Sequence, residues 1–77
     1  MERLIEMFEI TKEDLEKILR EKVGGAEKNI LQKHYGLNGE NIHTLEQIAV
    51  ELNISMEKAR EIELKGINKI KSIINNK

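Results

Sequence analysis

The 77-residue chain contains no cysteine, no proline and no tryptophan. The absence of cysteine excludes disulfides and thiolate chemistry, and it fits a cytoplasmic protein, which is the location we expect. The absence of proline removes the residue that most strongly interrupts a helix from within. One tyrosine and one phenylalanine are the only aromatic residues, so the core must be built from aliphatic side chains. These absences favour an all-α domain.

Long apolar runs are also missing. No stretch approaches the roughly 20 apolar residues that a membrane-spanning helix needs, and the first ten residues, MERLIEMFEI, are too polar for a signal peptide. We therefore expect no membrane partner. The histidines, His34 and His43, have neither cysteine partners nor helical spacing, which disfavours a metal site. A chain this small offers no apolar pocket to perturb its carboxylates, so we expect no enzyme activity, small-molecule substrate or cofactor.

Positive charge is scarce overall but is concentrated near the C-terminus. The formal net charge is −1, yet residues 53–77 carry six Lys or Arg against three Asp or Glu. Residues 1–22 have the opposite balance, with five basic and seven acidic residues. A basic segment of this kind fits either a solvated helix surface or a contact with a polyanion.

Charged residues make up 35% of the chain and are mostly Glu and Lys, which are strong helix formers. Thr11, followed by acidic residues, predicts the start of a helix. Apolar residues then recur at helical spacing, at Leu15, Ile18 and Leu19. The pair Gly24–Gly25 is expected to end this helix, and Gly36 to end the next one. The residues NGEN at 38–41 predict a loop between helices, because neither flank alternates as a hairpin would.

The segment from 44 to 74 predicts two closely joined helices. The sequence TLEQ at 44–47 is a capping box, Asn53 suits a helix end, and Ser55 can cap the helix that follows. A helix of about eight residues, a three-residue turn and a longer helix form a helix-turn-helix. The small residues Ala49 and Ala59 fit the close contact between these helices. The outer face of the last helix is then formed by Met56, Glu57, Lys58, Arg60, Glu61, Leu64 and Lys65.

Residues 26–74 resemble region four of the primary-type bacterial RNA polymerase sigma factors. The resemblance rests on HYGL at 34–37, TLEQIAVELNIS at 44–55 and EKAREIELKGINKIK at 57–71, which occur in the family's order and at its spacing. It implies a helix-turn-helix fold that binds the minus-thirty-five element of promoter DNA. It also implies contact with RNA polymerase core, through the flap of the β subunit.

The resemblance further implies roles for residues of the last helix. Phosphate contacts are expected from Lys58, Arg60 and Lys65, with help from Lys69 and Lys71. Base edges are expected to face Met56, Glu57 and Glu61. Two of these depart from the family pattern, because Met56 stands where Arg is usual and Glu61 where Gln is usual. The alternative is therefore an interaction protein, with weak or lost DNA binding, that uses the same surface to bind polymerase or a regulatory protein.

The N-terminal part is expected to be an addition to this unit. We predict a helical extension over residues 1–25 and a sigma-like helix-turn-helix domain over residues 26–77, together forming a bundle of four or five helices. The first ten residues place Leu4, Ile5 and Phe8 on one side of a short helix. These three side chains fit either a core segment or a surface for a protein partner.

Overall fold

The computed structural model describes residues 9–75, so the predicted cluster of Leu4, Ile5 and Phe8 lies outside the described residues. The described part contains four α-helices and no strand: α1 (Lys12–Glu21), α2 (Gly25–Tyr35), α3 (Leu45–Leu52) and α4 (Met56–Asn75). The predicted all-α bundle of small size is confirmed. Within residues 9–75 no helix combines the length and the apolar character needed to cross a membrane.

The ends of α1 and α2 follow local capping chemistry. The side chain of Thr11 accepts a hydrogen bond from the backbone N–H of Asp14 at 3.0 Å, as predicted. Gly36 ends α2 in the left-handed region with φ 65°, also as predicted. The helix α1 ends at Glu21, earlier than predicted, and there the backbone N–H of Val23 bonds to the carbonyl of Ile18, five residues back, instead of continuing the i→i−4 series. The pair Gly24–Gly25 instead begins α2.

The loop after α2 is fixed by Asn38, which has a positive φ of 52°. Its backbone N–H donates to the carboxylate of Glu16 at 2.8 Å, and its side-chain amide donates to Gln32 at 2.7 Å. Its side-chain oxygen accepts from Arg20 at 2.8 Å. One short polar side chain therefore joins α1, α2 and the loop.

Two clusters of buried residues form the core. The first joins α1, α2, the following loop and the C-terminal half of α4 through Leu15, Leu19, Val23, Leu31, Leu37 and Ile70. The second joins α2, α3 and the N-terminal half of α4 through Ile30, Ile48, Ala49 and Ala59. Since α2 and α4 contribute to both clusters, α1 and the helix-turn-helix pack on one shared framework.

A glycine sets the distance between α2 and α4. Gly66 is buried on α4, and a Cβ atom at this position would lie 2.6 Å from Cδ1 of Leu31 on α2. No real Cβ atom comes that close to a carbon, so Gly66 permits a closer approach of the two helices than any other residue would. The close approach holds the inner side of α4 on α2 and turns its opposite side to solvent.

Candidate nucleic-acid interface

The two helices of the predicted motif are joined by a tightly bonded turn. At the start of α3 the hydroxyl of Thr44 accepts from the N–H of Gln47 at 3.1 Å, while the Gln47 side chain accepts from the N–H of Thr44 at 3.0 Å. Asn53 ends α3 in the left-handed region with φ 58°. The hydroxyl of Ser55 accepts from the N–H of Lys58 at 3.0 Å and caps α4. The predicted capping box, helix end and second cap are all confirmed.

The interior of the motif fixes the rotation of α4 about its own axis. Ile48 and Ala59 have no exposed surface, and Ala49 is 4% exposed. Ile62 is partly buried against the same cluster. The small side chains let α3 and α4 pack closely, as the sequence predicted. Because Ala59 lies in this contact, the opposite side of α4 faces solvent.

The structure places the predicted site residues in three groups. Glu57, Arg60 and Glu61 are exposed, and their spacing puts them on one stripe of α4. Lys58 and Lys65 are exposed, seven residues apart, on the neighbouring side of the helix. Met56 is half-buried at the first residue of α4 and so contributes only part of its side chain to the surface. We refer to the exposed side of α4 from residues 57 to 65 as the outer face.

Ion pairs distinguish the cations that join helices from those that have no carboxylate partner within the described residues. Lys33 on α2 pairs with Glu51 on α3, and its hydrogen bond lowers the pKa of that carboxylate. Lys69 on α4 pairs with Glu27 on α2 at 2.6 Å, so a cation expected to assist with phosphates instead joins two helices. By contrast, no carboxylate within residues 9–75 lies at ion-pair distance from the three cations of the outer face, Lys58, Arg60 and Lys65.

A polar network behind the outer face was not predicted. The hydroxyl of Tyr35 donates to the carboxylate of Glu63 at 3.0 Å, and Nε2 of His34 lies 3.5 Å from the same carboxylate. The other ring nitrogen of His34 lies 3.1 Å from the backbone carbonyl of His43. Burial, reinforced by the charge of Glu63, raises the pKa of Tyr35 to about 12. The network ties the end of α2 and the loop before α3 to the middle of α4.

Comparison with known proteins assigns the family. The model of the family described as Sigma-70, region 4 matches residues 22–72. The chain is 36% identical to RNA polymerase sigma factor SigA of Nostoc sp. over 62 residues, which is 80% of this chain and 16% of that protein. It is also 36% identical to SigA of Clostridium acetobutylicum over 64 residues, which is 83% of this chain and 17% of that protein. Its identity to SigA of Synechocystis sp. is 34% over 62 residues, which is 80% of this chain and 14% of that protein.

The chain thus spans less than a fifth of the length of these relatives. No solved structure shows significant similarity to it. The family match covers α2, α3 and nearly all of α4, which includes the helix-turn-helix and its outer face. The chain therefore belongs to the sigma-70 region 4 family.

Proposed function

We propose that the outer face of α4 recognises a minus-thirty-five-type promoter element in duplex DNA, and that the chain does so while in contact with RNA polymerase core through the β flap. The observation that carries the proposal is the arrangement of the outer-face cations. Lys58, Arg60 and Lys65 are exposed, and none has a carboxylate partner within the described residues. Lys33 and Lys69, in contrast, are used to join helices.

The proposed contacts divide into those that position α4 and those that read sequence. The three cations hold backbone phosphates, which fixes the register of the helix without specifying bases. Glu57 and Glu61 lie on the stripe that faces the bases, where a carboxylate accepts a hydrogen bond from N4 of cytosine. The stripe belongs to the N-terminal half of α4, the part of a recognition helix that reaches base edges.

Polymerase has a role in this proposal because the chain is weakly charged for a DNA-binding protein. The formal net charge is −1, and the outer face contributes only three unpaired cations. Binding to a lone duplex should therefore fall near the non-specific range, at dissociation constants of roughly 10⁻⁶ M or weaker. A contact with polymerase would raise the effective concentration of the module at the promoter.

Acidic residues on the same face favour a second candidate function. Glu57 and Glu61 are both exposed there, and each carboxylate opposes the approach of phosphates. In this second proposal the chain is an interaction protein that binds polymerase or a regulatory partner, and its contact with DNA is weak or lost.

Fluorescence anisotropy with labelled duplexes separates the two proposals. The full chain should bind a minus-thirty-five-type duplex more tightly than a scrambled duplex of equal length. Arg60→Ala should weaken that binding by about tenfold, the equivalent of one charge-assisted hydrogen bond. Lys12→Ala is the matched control, because it removes the same charge from the exposed start of α1 and should leave binding unchanged.

Equal affinity for the two duplexes, with no effect of Arg60→Ala, would overturn the proposal of promoter recognition. Retention of polymerase core on the immobilised chain in that case would support the interaction protein.

A further inference from the structure

Leu64 is an exposed apolar residue near the C-terminal end of the outer face. It lies on α4 and is 60% exposed. A single exposed leucine is ordinary on a protein surface, so its exposure alone indicates nothing. Its position is what distinguishes it, because it follows Glu57, Arg60 and Glu61 at the spacing i, i+3, i+4 and i+7. Homeodomain recognition helices place base-reading residues at the same spacing; in the proposed function Glu57, Glu61 and Leu64 face the bases, while Arg60, at the edge of the stripe, reaches the phosphates.

We infer that Leu64 reads the 5-methyl group of a thymine in the major groove. This inference rests on the proposed function, in which α4 lies in that groove. The thymine methyl is the apolar group that base pairs present there, and apolar side chains recognise it by contact. Of the side chains on the stripe, Leu64 is the one that has no polar group with which to read a base by hydrogen bonding.

Two cations and one carboxylate, that of Glu61, lie within four residues of Leu64 on the outer face, and this excess of positive charge favours DNA over an apolar groove on a protein. Arg60 precedes it by one helical turn and Lys65 follows it directly, and neither is paired within residues 9–75. A protein groove that covered Leu64 would also remove water from these cations, which is costly without anionic partners. In the major groove a thymine methyl group lies between two rows of phosphates. Leu64 can therefore contact the methyl group while Arg60 and Lys65 contact phosphates.

Helix geometry places the thymine relative to the other proposed contact. Seven residues separate Glu57 from Leu64, which corresponds to roughly 10 Å along an α-helix. Base pairs follow one another at about 3.4 Å along each strand. The thymine read by Leu64 therefore lies about three base pairs, or fewer if the helix is inclined to the groove, from the cytosine that faces Glu57.

Replacement of thymine by uracil, which lacks only the methyl group, tests this inference. Duplexes are first selected from a random-sequence library with the full wild-type chain, and each thymine of the selected duplex is then replaced in turn. Wild-type affinity should fall by about fourfold at one position, the equivalent of one buried methyl group. Leu64→Ala should bind the thymine and uracil duplexes equally well. Val50→Ala is the matched control, because Val50 is 81% exposed on α3, and it should retain the wild-type discrimination.

The outcomes separate this inference from the proposed function. The inference about Leu64 would be overturned, although α4 still binds DNA, if no thymine of the selected duplex were sensitive to loss of its methyl group. It would also be overturned if that sensitivity persisted in Leu64→Ala. A library that yields no enriched sequence would overturn the proposed function and the inference together. Loss of polymerase binding in Leu64→Ala, without loss of methyl discrimination, would assign Leu64 to a protein contact and so overturn its role on DNA.

Discussion

Gly66→Ala sets two effects of similar size against each other. Alanine is the better helix former by about 1 kcal/mol, so the substitution would stabilise a helix whose surroundings had room for it. Gly66 has no such room. The new Cβ would lie 2.6 Å from Cδ1 of Leu31 and 3.4 Å from both Cγ of Leu31 and Cβ of Glu27.

The surroundings of Leu31 decide which effect is larger. An exposed leucine would rotate away at little cost, but Leu31 has no exposed surface and packs in the cluster that contains Leu19 and Ile70. Adding a methylene to a well-packed core typically costs 1–3 kcal/mol. After the gain in helix propensity, we expect Gly66→Ala to lower the free energy of unfolding by about 1 kcal/mol.

A double-mutant cycle measured by urea denaturation tests this reasoning. Leu31→Val removes both δ carbons, one of which is the closest atom to the new methyl group, while leaving an apolar side chain in place. In that background Gly66→Ala should become neutral or stabilising, so the two substitutions should show a favourable coupling of about 1 kcal/mol. A stabilising effect of Gly66→Ala in the wild-type background, or the same cost in both backgrounds, would refute the assigned contact between α2 and α4.

Three further predictions concern the interior, a cap and the polar network. Ile48→Ala should lower the free energy of unfolding by about 2–5 kcal/mol because Ile48 is fully buried. Leu64→Ala should change it by less than about 0.5 kcal/mol. If urea denaturation showed Leu64→Ala to be the more destabilising of the two, the assigned inner and outer sides of α4 would be wrong. Thr44→Ala should cost about 1 kcal/mol through the lost cap, and thermal unfolding should show that Thr44→Ser restores most of it. The absorbance of the single tyrosine should titrate with a pKa of about 12. Since this folded-state pKa is raised from 10.0, the contribution of Tyr35 to the stability of the folded state should be complete below pH 10 and be lost as the pH rises through 12. Glu63→Gln should lower the midpoint of the tyrosine titration, and an unchanged midpoint would exclude Glu63 as a cause of the raised pKa.

Features of the fold that depend on local chemistry were predictable from the sequence. The caps at Thr11, Thr44 and Ser55 follow from the need to satisfy free backbone N–H groups at helix starts. The left-handed ends at Gly36 and Asn53 follow from the few residue types that tolerate that conformation. Apolar periodicity then gives the inner and outer sides of α4, as the buried Ala59 and exposed Leu64 show.

Contacts between residues far apart in sequence were not predictable in the same way. Tyr35 meets Glu63 across 28 positions, and Lys69 meets Glu27 across 42. No periodicity marks such polar pairs, because they depend on how two packed helices align. The spacing of seven residues between Ala59 and Gly66 places this glycine on the inner side of α4, but its close contact with Leu31 depends on how α2 packs. The proposed reading of DNA by α4 remains a prediction for the same reason, since it depends on a partner.

The salt dependence of DNA binding tests the central proposal most directly. Lys58, Arg60 and Lys65, with Lys71 as a fourth cation on α4, should engage about three to four phosphates. The slope of log K against log salt for a minus-thirty-five-type duplex should then be about −2.7 to −3.6, and Arg60→Ala should make it less steep by about 0.9. A slope near zero, or an identical slope for wild type and Arg60→Ala, would contradict phosphate binding by the outer face of α4.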